Sequence, residues 1–146
     1  MAYFATVGIQ KVNTGGVLGV QREENRQPED RDKYNFKASD IDWDRTEYNK
    51  YLVKADNWRQ AIKAELKENG ITATRKDAVL LIDTIYGASR DFFDSNDMET
   101  TEAYLIDCLD YHQRHYGHVI NAVIHYDDGT APVYVVSPKN VKFIVH

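Results

Sequence analysis

A β-hairpin signal close to the C-terminal end constrains the fold more than any other feature of the sequence. Residues 119–126 alternate and are rich in β-forming side chains, residues 127–130 read Asp-Asp-Gly-Thr, and residues 133–136 are again β-forming. Two strands joined by a short turn run antiparallel. The sheet that contains them is therefore expected to be antiparallel.

Other segments supply further strands for this sheet. The β-rich stretches are residues 3–12, 51–53, 78–86 and 141–145. The run 78–86 is apolar and β-branched, which is typical of a central strand. Gly15, Gly16 and Gly19 mark a turn after the first strand.

Two segments have helical periodicity. In residues 56–69, Trp58, Ile62 and Leu66 recur every four residues, and Asp56 is a candidate N-cap. Residues 97–116 form the second predicted helix. This element order predicts an α+β fold, with a central antiparallel sheet and helices packed on one face.

Length and composition indicate one globular domain over residues 1–146, with residues 23–50 as an ordered surface excursion. The excursion is polar but holds several aromatic residues, including Tyr34, Phe36, Trp43 and Tyr48. No apolar run is long enough for a membrane span, and we expect a cytoplasmic protein. The net charge of −5 argues against a protein that binds nucleic acid mainly through its phosphates.

Several motifs resemble the catalytic domain of MobV-type relaxases, the plasmid mobilisation and recombination enzymes. The most specific is the Arg-Lys-Asp-Ala-Val-Leu block at 75–80, followed by Asp-Phe-Phe at 91–93. Weaker similarities are Ile-Gln-Lys at 9–11 before the glycine turn, Asp-Ile at 40–41 followed by Asn49, and Tyr-Gly at 116–117. The resemblance implies the HUH-endonuclease fold, a central antiparallel sheet flanked by helices.

The resemblance also implies a chemistry. In that family a divalent metal polarises the scissile phosphate, and a nucleophilic side chain forms a covalent intermediate with DNA. The metal is held by a His-x-Asp-Glu-x-Thr-Pro-His-x-His pattern. Here His125 is retained and Asp128 replaces the glutamate, while Pro132 and Tyr134 stand at the two later histidine positions. Proline offers no side-chain ligand and neutral tyrosine is a poor one.

The family's His-x-x-Arg nucleophile motif is also altered. It aligns with residues 23–26, so Glu23 replaces the histidine and Arg26 is kept. These residues fit either a remodelled acid–base pair or a solvated, charged helix face. The sequence also ends soon after the hairpin, where the family's domain continues. We therefore expect a degenerate and truncated relaxase-like protein whose nicking chemistry is lost.

Other interpretations remain open. His125 and Asp128, or His112 and His115 on the second helix, could hold a metal ion, although histidines near a helix C-terminus also favour its dipole. We expect no cofactor, with manganese or magnesium as the alternative. The aromatic residues of the excursion could stack on bases or simply anchor a loop.

The expected function is binding rather than catalysis. The partner would be single-stranded nucleic acid, or a nucleoprotein or other protein that handles nucleic acid, as in a host-defence inhibitor such as an anti-CRISPR. Acidic residues of the excursion could mimic DNA phosphates, or could serve only solubility. The alternative is a residual metal-dependent nuclease around His125.

Overall fold

The structure is a computed structural model that describes residues 5–26, 43–70, 79–127 and 133–138. Its five strands are β1 (Ala5–Asn13), β2 (Lys50–Val53), β3 (Val79–Ala88), β4 (Asn121–Ile124) and β5 (Val133–Pro138). They form one sheet in the order β1-β3-β5-β4-β2, and every neighbouring pair is antiparallel. The α+β class and the antiparallel sheet are confirmed, with the predicted hairpin strands β4 and β5 side by side.

The helices are α1 (Val17–Glu24), α2 (Trp58–Glu68), α3 (Arg90–Ser95) and α4 (Met98–Tyr116), together with the 3-10 helices Thr14–Gly16 and Trp43–Tyr48. The apolar stripe of α2 is buried as predicted. Its N-cap, however, is Asn57, whose side chain accepts a hydrogen bond from the Gln60 amide at 3.1 Å. Asp97 caps α4 in the same way, accepting from the Thr100 amide at 2.8 Å.

The glycine segment that the sequence indicated as a turn continues into a helix. The Asn13 side chain accepts a hydrogen bond from the Gly16 amide at 3.1 Å and starts the 3-10 turn. Gly19 lies inside α1, which the fully buried Val17 fixes against the core. Tertiary packing thus outweighs the low helix propensity of glycine.

Helices lie against both faces of the sheet. Leu81 and Val136 pack with Val17 of α1 and with the apolar stripe of α2. Val133 and Val135 point to the opposite face, because side chains alternate along a strand, and they pack with α4. The sequence had indicated helices on one face, and the structure adds this second layer.

Two predicted features lie outside the described residues: the last strand, at 141–145, and residues 27–42 of the surface excursion. The short helix α3 was not predicted. Among the described helices, none combines the length and apolar character that crossing a membrane requires.

Candidate functional site

The C-terminal end of α1 covers one face of the sheet, and this region forms the candidate site. Asp83 pairs in register with Val136, and Ile85 with Tyr134, so Asp83 and Tyr134 project from the same face. His125 follows β4, and its ring lies 4.4 Å from that of Tyr134, centroid to centroid. Side chains from three neighbouring strands therefore meet beneath α1.

Three side chains donate hydrogen bonds to consecutive carbonyl oxygens at the end of α1. The bonds run from Arg26 to Glu23 at 2.7 Å, from His125 to Glu24 at 2.8 Å, and from Tyr51 to Asn25 at 3.4 Å. The last carbonyls of a helix have no partner within the helix. These bonds therefore cap α1 and attach its end to β2 and to the end of β4.

A buried ion pair joins the end of α1 to the β4–β5 connection. Arg26 donates to both oxygens of Asp127, at 2.9 and 3.2 Å, which is the bidentate geometry that makes such pairs strong. Thr46 donates to the same carboxylate at 2.8 Å, and the Asp127 amide donates to Asn49 at 3.1 Å. Burial alone would raise the pKa of Asp127, but these hydrogen bonds and the Arg26 charge lower it. Arg26 is thus part of a buried network and does not belong to a solvated helix face.

The backbone at Arg26 is in the left-handed region, with a φ of +48°. Non-glycine residues adopt this region only where the surrounding contacts compensate for it. Here the side chain is anchored on Asp127 and on the Glu23 carbonyl. The ion pair therefore also fixes how the chain turns as it leaves α1.

Glu24 and Asp83 place two carboxyl groups together in the interior. Their exposed fractions are 4% and 2%. No described group hydrogen-bonds to either carboxyl oxygen of Glu24 or to Asp83 Oδ1. Two ionised carboxylates buried close together repel each other and are poorly solvated. Burial, followed by the contact with Asp83, raises the pKa of Glu24 well above its usual range, and burial also raises that of Asp83.

The sequence motifs did not predict this pair. Glu24 was expected to belong either to a remodelled acid–base pair or to a solvated, charged helix face, and no role was expected for Asp83. The available signal was a single aspartate inside the apolar run 78–86, because a charged residue within a central strand is rarely buried without a reason. Glu23, which aligns with the family's nucleophile, is only partly buried.

His125 is used as a hydrogen-bond donor. Because its Nε2 faces the Glu24 carbonyl at 2.8 Å, this nitrogen carries the hydrogen. Burial, with a smaller contribution from the Arg26 charge, lowers the pKa of His125 to about 4, so the ring is neutral at physiological pH. Its Nδ1 has no partner within the described residues.

Among the described residues, no other predicted metal ligand joins His125. Asp128 and Pro132 lie outside the described residues, and Tyr134 presents its ring to His125. Within the described ranges, no three His, Cys, Asp or Glu side chains are placed to hold a metal ion together. The described residues therefore contribute His125 as one predicted ligand, and the metal site with Asp128 stays a prediction.

His112 and His115 are not brought together. His112 is buried, with Nδ1 at 2.8 Å from the Tyr86 hydroxyl and Nε2 at 2.7 Å from the Ser137 hydroxyl. Burial lowers the pKa of His112 to about 4. His115 is exposed and lies against Tyr111, with the ring centroids 4.2 Å apart. The structure thus links His112 to the core.

The structure describes two of the four predicted aromatic binding residues. Tyr34 and Phe36 lie outside the described residues. Trp43 is half-buried, whereas Tyr48 exposes 58% of its surface. Both belong to the Trp43–Tyr48 3-10 helix, which also carries Thr46 to the Asp127 carboxylate. Tyr48 is therefore an exposed ring on an element anchored to the site.

Comparison with known proteins gives one consistent family. The family model for plasmid recombination enzymes (Mob_Pre) matches residues 1–138. The chain belongs to the plasmid recombination enzyme family. Its resemblance to MobV-type relaxases, seen in the sequence motifs, is thereby confirmed.

Individual relatives agree with this assignment. The chain is 30% identical over 139 residues to a plasmid recombination enzyme of Bacillus thuringiensis, covering 92% of this chain and 30% of that protein. It is 31% identical over 133 residues to one of Lactiplantibacillus plantarum, covering 87% of this chain and 36% of that protein. The chain thus spans about a third of the length of these relatives.

A solved structure shares the fold. The MobM relaxase domain (MOBV; Mob_Pre), in a manganese-bound crystal structure with plasmid pMV158 oriT DNA, superimposes with a TM-score of 0.76 at 26% identity. The match covers 95% of this chain and 73% of that chain. The sheet and helices described above are therefore those of a relaxase domain.

Proposed function

We propose that this plasmid recombination enzyme family member binds single-stranded DNA near the end of α1 and does not nick it. The proposal rests on which residues of the two family motifs are kept. Arg26 of the first motif and Asp127 of the second are retained, and they bond to each other in the interior. The residues that are replaced, at positions 23, 132 and 134, are those to which the family's chemistry assigns the nucleophile and metal ligands.

The residues that are kept maintain the fold, whereas the residues that are replaced are those that the nicking reaction requires. The buried Arg26–Asp127 pair maintains the arrangement of α1 and the β4–β5 connection whether or not a reaction takes place. His125, the one family metal ligand kept as histidine, holds the α1 backbone. DNA binding requires only the surface, whereas nicking requires a nucleophile and a polarised phosphate.

A direct test combines a binding and a cleavage assay on the same protein. Fluorescence anisotropy with single-stranded DNA, duplex DNA and RNA oligonucleotides of equal length measures affinity and its dependence on salt. The same oligonucleotides are then incubated with Mn²⁺ or with EDTA and resolved on a denaturing gel. We expect selective, salt-dependent binding of single-stranded DNA, with no product and no covalent adduct under either condition.

Active MobM-type relaxase domain on its own oriT DNA serves as the positive control for cleavage. Mn²⁺-dependent cutting by this chain that EDTA and the His125→Ala substitution both abolish would establish a residual nuclease and overturn the binding-only proposal. Failure to retain any oligonucleotide at low salt would overturn DNA binding itself.

The net charge of −5 favours a second candidate. An acidic protein is repelled by phosphates and attracted by basic protein surfaces. The chain would then bind a protein that handles nucleic acid, and inhibition of a host-defence nuclease is one such activity. Co-purification of a basic nucleic-acid-binding protein, together with absence of oligonucleotide binding, would favour this candidate over the first.

A further inference from the structure

One side of α2 carries a row of basic residues that lies outside the apolar core. Arg59, Lys63 and Lys67 follow one another at intervals of four residues, and all three are exposed. Residues four apart lie above one another on the surface of a helix, so the three side chains form a single row about 12 Å long. We call these three residues the basic row.

The acidic residues of α2 lie elsewhere on the helix. At about 100° per residue, Glu65 and Glu68 lie about 200° and 140° around the helix axis from the middle of the basic row. Glu65 is partly buried and contacts His118, which follows the end of α4. Arg59, in contrast, donates to the Thr14 carbonyl at 3.0 Å, just before α1. The basic row therefore begins beside the start of α1, and the carboxylates of α2 point away from the row.

The cations of the basic row repel one another. Like charges four residues apart destabilise a helix, and the row contains two such pairs, Arg59–Lys63 and Lys63–Lys67. Within the described ranges, no carboxylate forms an ion pair with Lys63 or Lys67. The surface of α4 differs, because Asp110 and Arg114 form an ion pair at the same spacing, with nitrogen and oxygen 3.1 Å apart. An anionic ligand would relieve the repulsion that α2 leaves uncompensated.

We infer that the basic row binds phosphates of the single-stranded DNA whose binding is proposed above, and the inference rests on that proposed function. A row about 12 Å long can face about three phosphates of one strand. Gln21 of α1 accepts from the Trp58 amide at 3.0 Å and donates to the Asp56 carbonyl at 2.8 Å, which holds the start of α2 against α1. A strand bound near the end of α1 can therefore continue along α2.

The overall charge of −5 limits how much affinity these contacts supply, but it does not prevent them. At physiological ionic strength, interactions between exposed charges are largely screened beyond about 8 Å. A phosphate in contact with the basic row therefore interacts mainly with the row and only weakly with distant carboxylates. Contacts to phosphates fix the position of a strand without reading its sequence.

The decisive variant replaces the whole basic row with glutamine: Arg59→Gln, Lys63→Gln and Lys67→Gln. A charge-matched control replaces three exposed cations outside α1 and α2: Lys11→Gln, Arg90→Gln and Arg114→Gln. Each variant loses three positive charges, so both change the net charge from −5 to −8. Fluorescence anisotropy then measures the affinity of each protein for a thymidine oligonucleotide between about 50 and 200 mM salt.

The salt dependence of binding reports the number of phosphate contacts. For a single strand, each contact contributes about 0.7 to the slope of log affinity against log salt concentration. Loss of three contacts should make this slope shallower by about 2, so over this salt range the wild type should lose about 20-fold more affinity than the row variant. The control variant should keep the wild-type slope.

A single substitution separates binding from folding. Lys63→Gln removes both repulsive pairs of the basic row, so its folding equilibrium constant in urea unfolding should rise by about twofold to fivefold at low salt. Its affinity for the oligonucleotide should fall, because one phosphate contact is lost. A weaker binder that is also more stable has not lost affinity through unfolding.

A wild type that binds no oligonucleotide would overturn the proposed function, and this inference with it. A wild type that binds, with the same salt slope in the row variant and in the control, would overturn the inference alone. Co-sedimentation with phosphatidylserine vesicles that the row variant loses while its oligonucleotide affinity is unchanged would also overturn the inference, because it would assign the basic row to a membrane surface.

Discussion

Removing the Arg26 guanidinium would leave the Asp127 carboxylate buried without its cation. The side chains of the two residues expose 7% and 0% of their surface. Breaking a buried pair from one side costs about 3–5 kcal/mol, because the remaining charge stays desolvated. Since the whole domain is expected to be stable by roughly 5–15 kcal/mol, Arg26→Met should remove a large part of its free energy of unfolding. Methionine keeps the aliphatic volume, and as a non-glycine residue it meets the same left-handed backbone as arginine.

The assay is urea unfolding followed by circular dichroism near neutral pH, with the unchanged m-value as the check that the folded state is preserved. The matched control is Arg114→Met, which breaks the exposed Asp110–Arg114 pair on α4 and should cost only about 0.3–0.5 kcal/mol. Because the pKa of Asp127 is lowered in the folded state, the difference in free energy of unfolding between wild type and Arg26→Met should shrink as the pH falls and Asp127 takes up a proton. If Arg26→Met loses no more free energy of unfolding at neutral pH than Arg114→Met does, the stabilising role given to the Arg26–Asp127 pair is refuted.

Two further predictions concern other parts of the molecule. Burial lowers the pKa of His112 from 6.5 to about 4, so the contribution of this residue to stability should be complete above about pH 6.5 and be lost as the pH falls towards 4. Because His112→Gln has no titrating ring, the melting temperature of this variant should fall less than that of the wild type over this range. An equal fall in both proteins would contradict the prediction. If the exposed ring of Tyr48 stacks on a base, Tyr48→Ala should weaken single-stranded DNA binding by about 1–3 kcal/mol in anisotropy titrations, while Tyr111→Ala, which removes an exposed ring from the other side of the sheet, should leave it unchanged.

The sequence predicted the parts of the fold that depend on local pattern. The four-residue spacing of Trp58, Ile62 and Leu66 identified α2, because the stripe that packs on the sheet is visible in the sequence. The turn predicted at residues 127–130 implied the antiparallel pairing of the strands on either side of it, β4 and β5. The helix α1 was missed because Gly15 and Gly16 before it and Gly19 within it are poor helix formers, and the burial of Val17 that holds it in place is a tertiary contact.

The candidate site could be predicted only where motifs survive. The family resemblance located Arg26 and His125, but their contacts lie across 101 residues of sequence in both cases, and a motif does not reveal such partners. His112 and His115 were grouped by their spacing of three, yet one faces the core and the other faces solvent. The proximity of Glu24 to Asp83 could not be predicted for the same reason, although the aspartate inside the apolar run 78–86 was itself a visible signal, because two acidic residues far apart in the chain do not show that they will lie together.

The hydrogen bond between His125 and the backbone of α1 also limits how this scaffold could be converted into an active nuclease. Installing histidines at positions 132 and 134 would restore the missing imidazoles, but the Nε2 of His125 would still be engaged with the Glu24 carbonyl. Only its opposite ring nitrogen would face an incoming ion, and rotating the ring to change this would release the helix. An engineered revertant therefore needs a replacement anchor for α1 as well as new metal ligands.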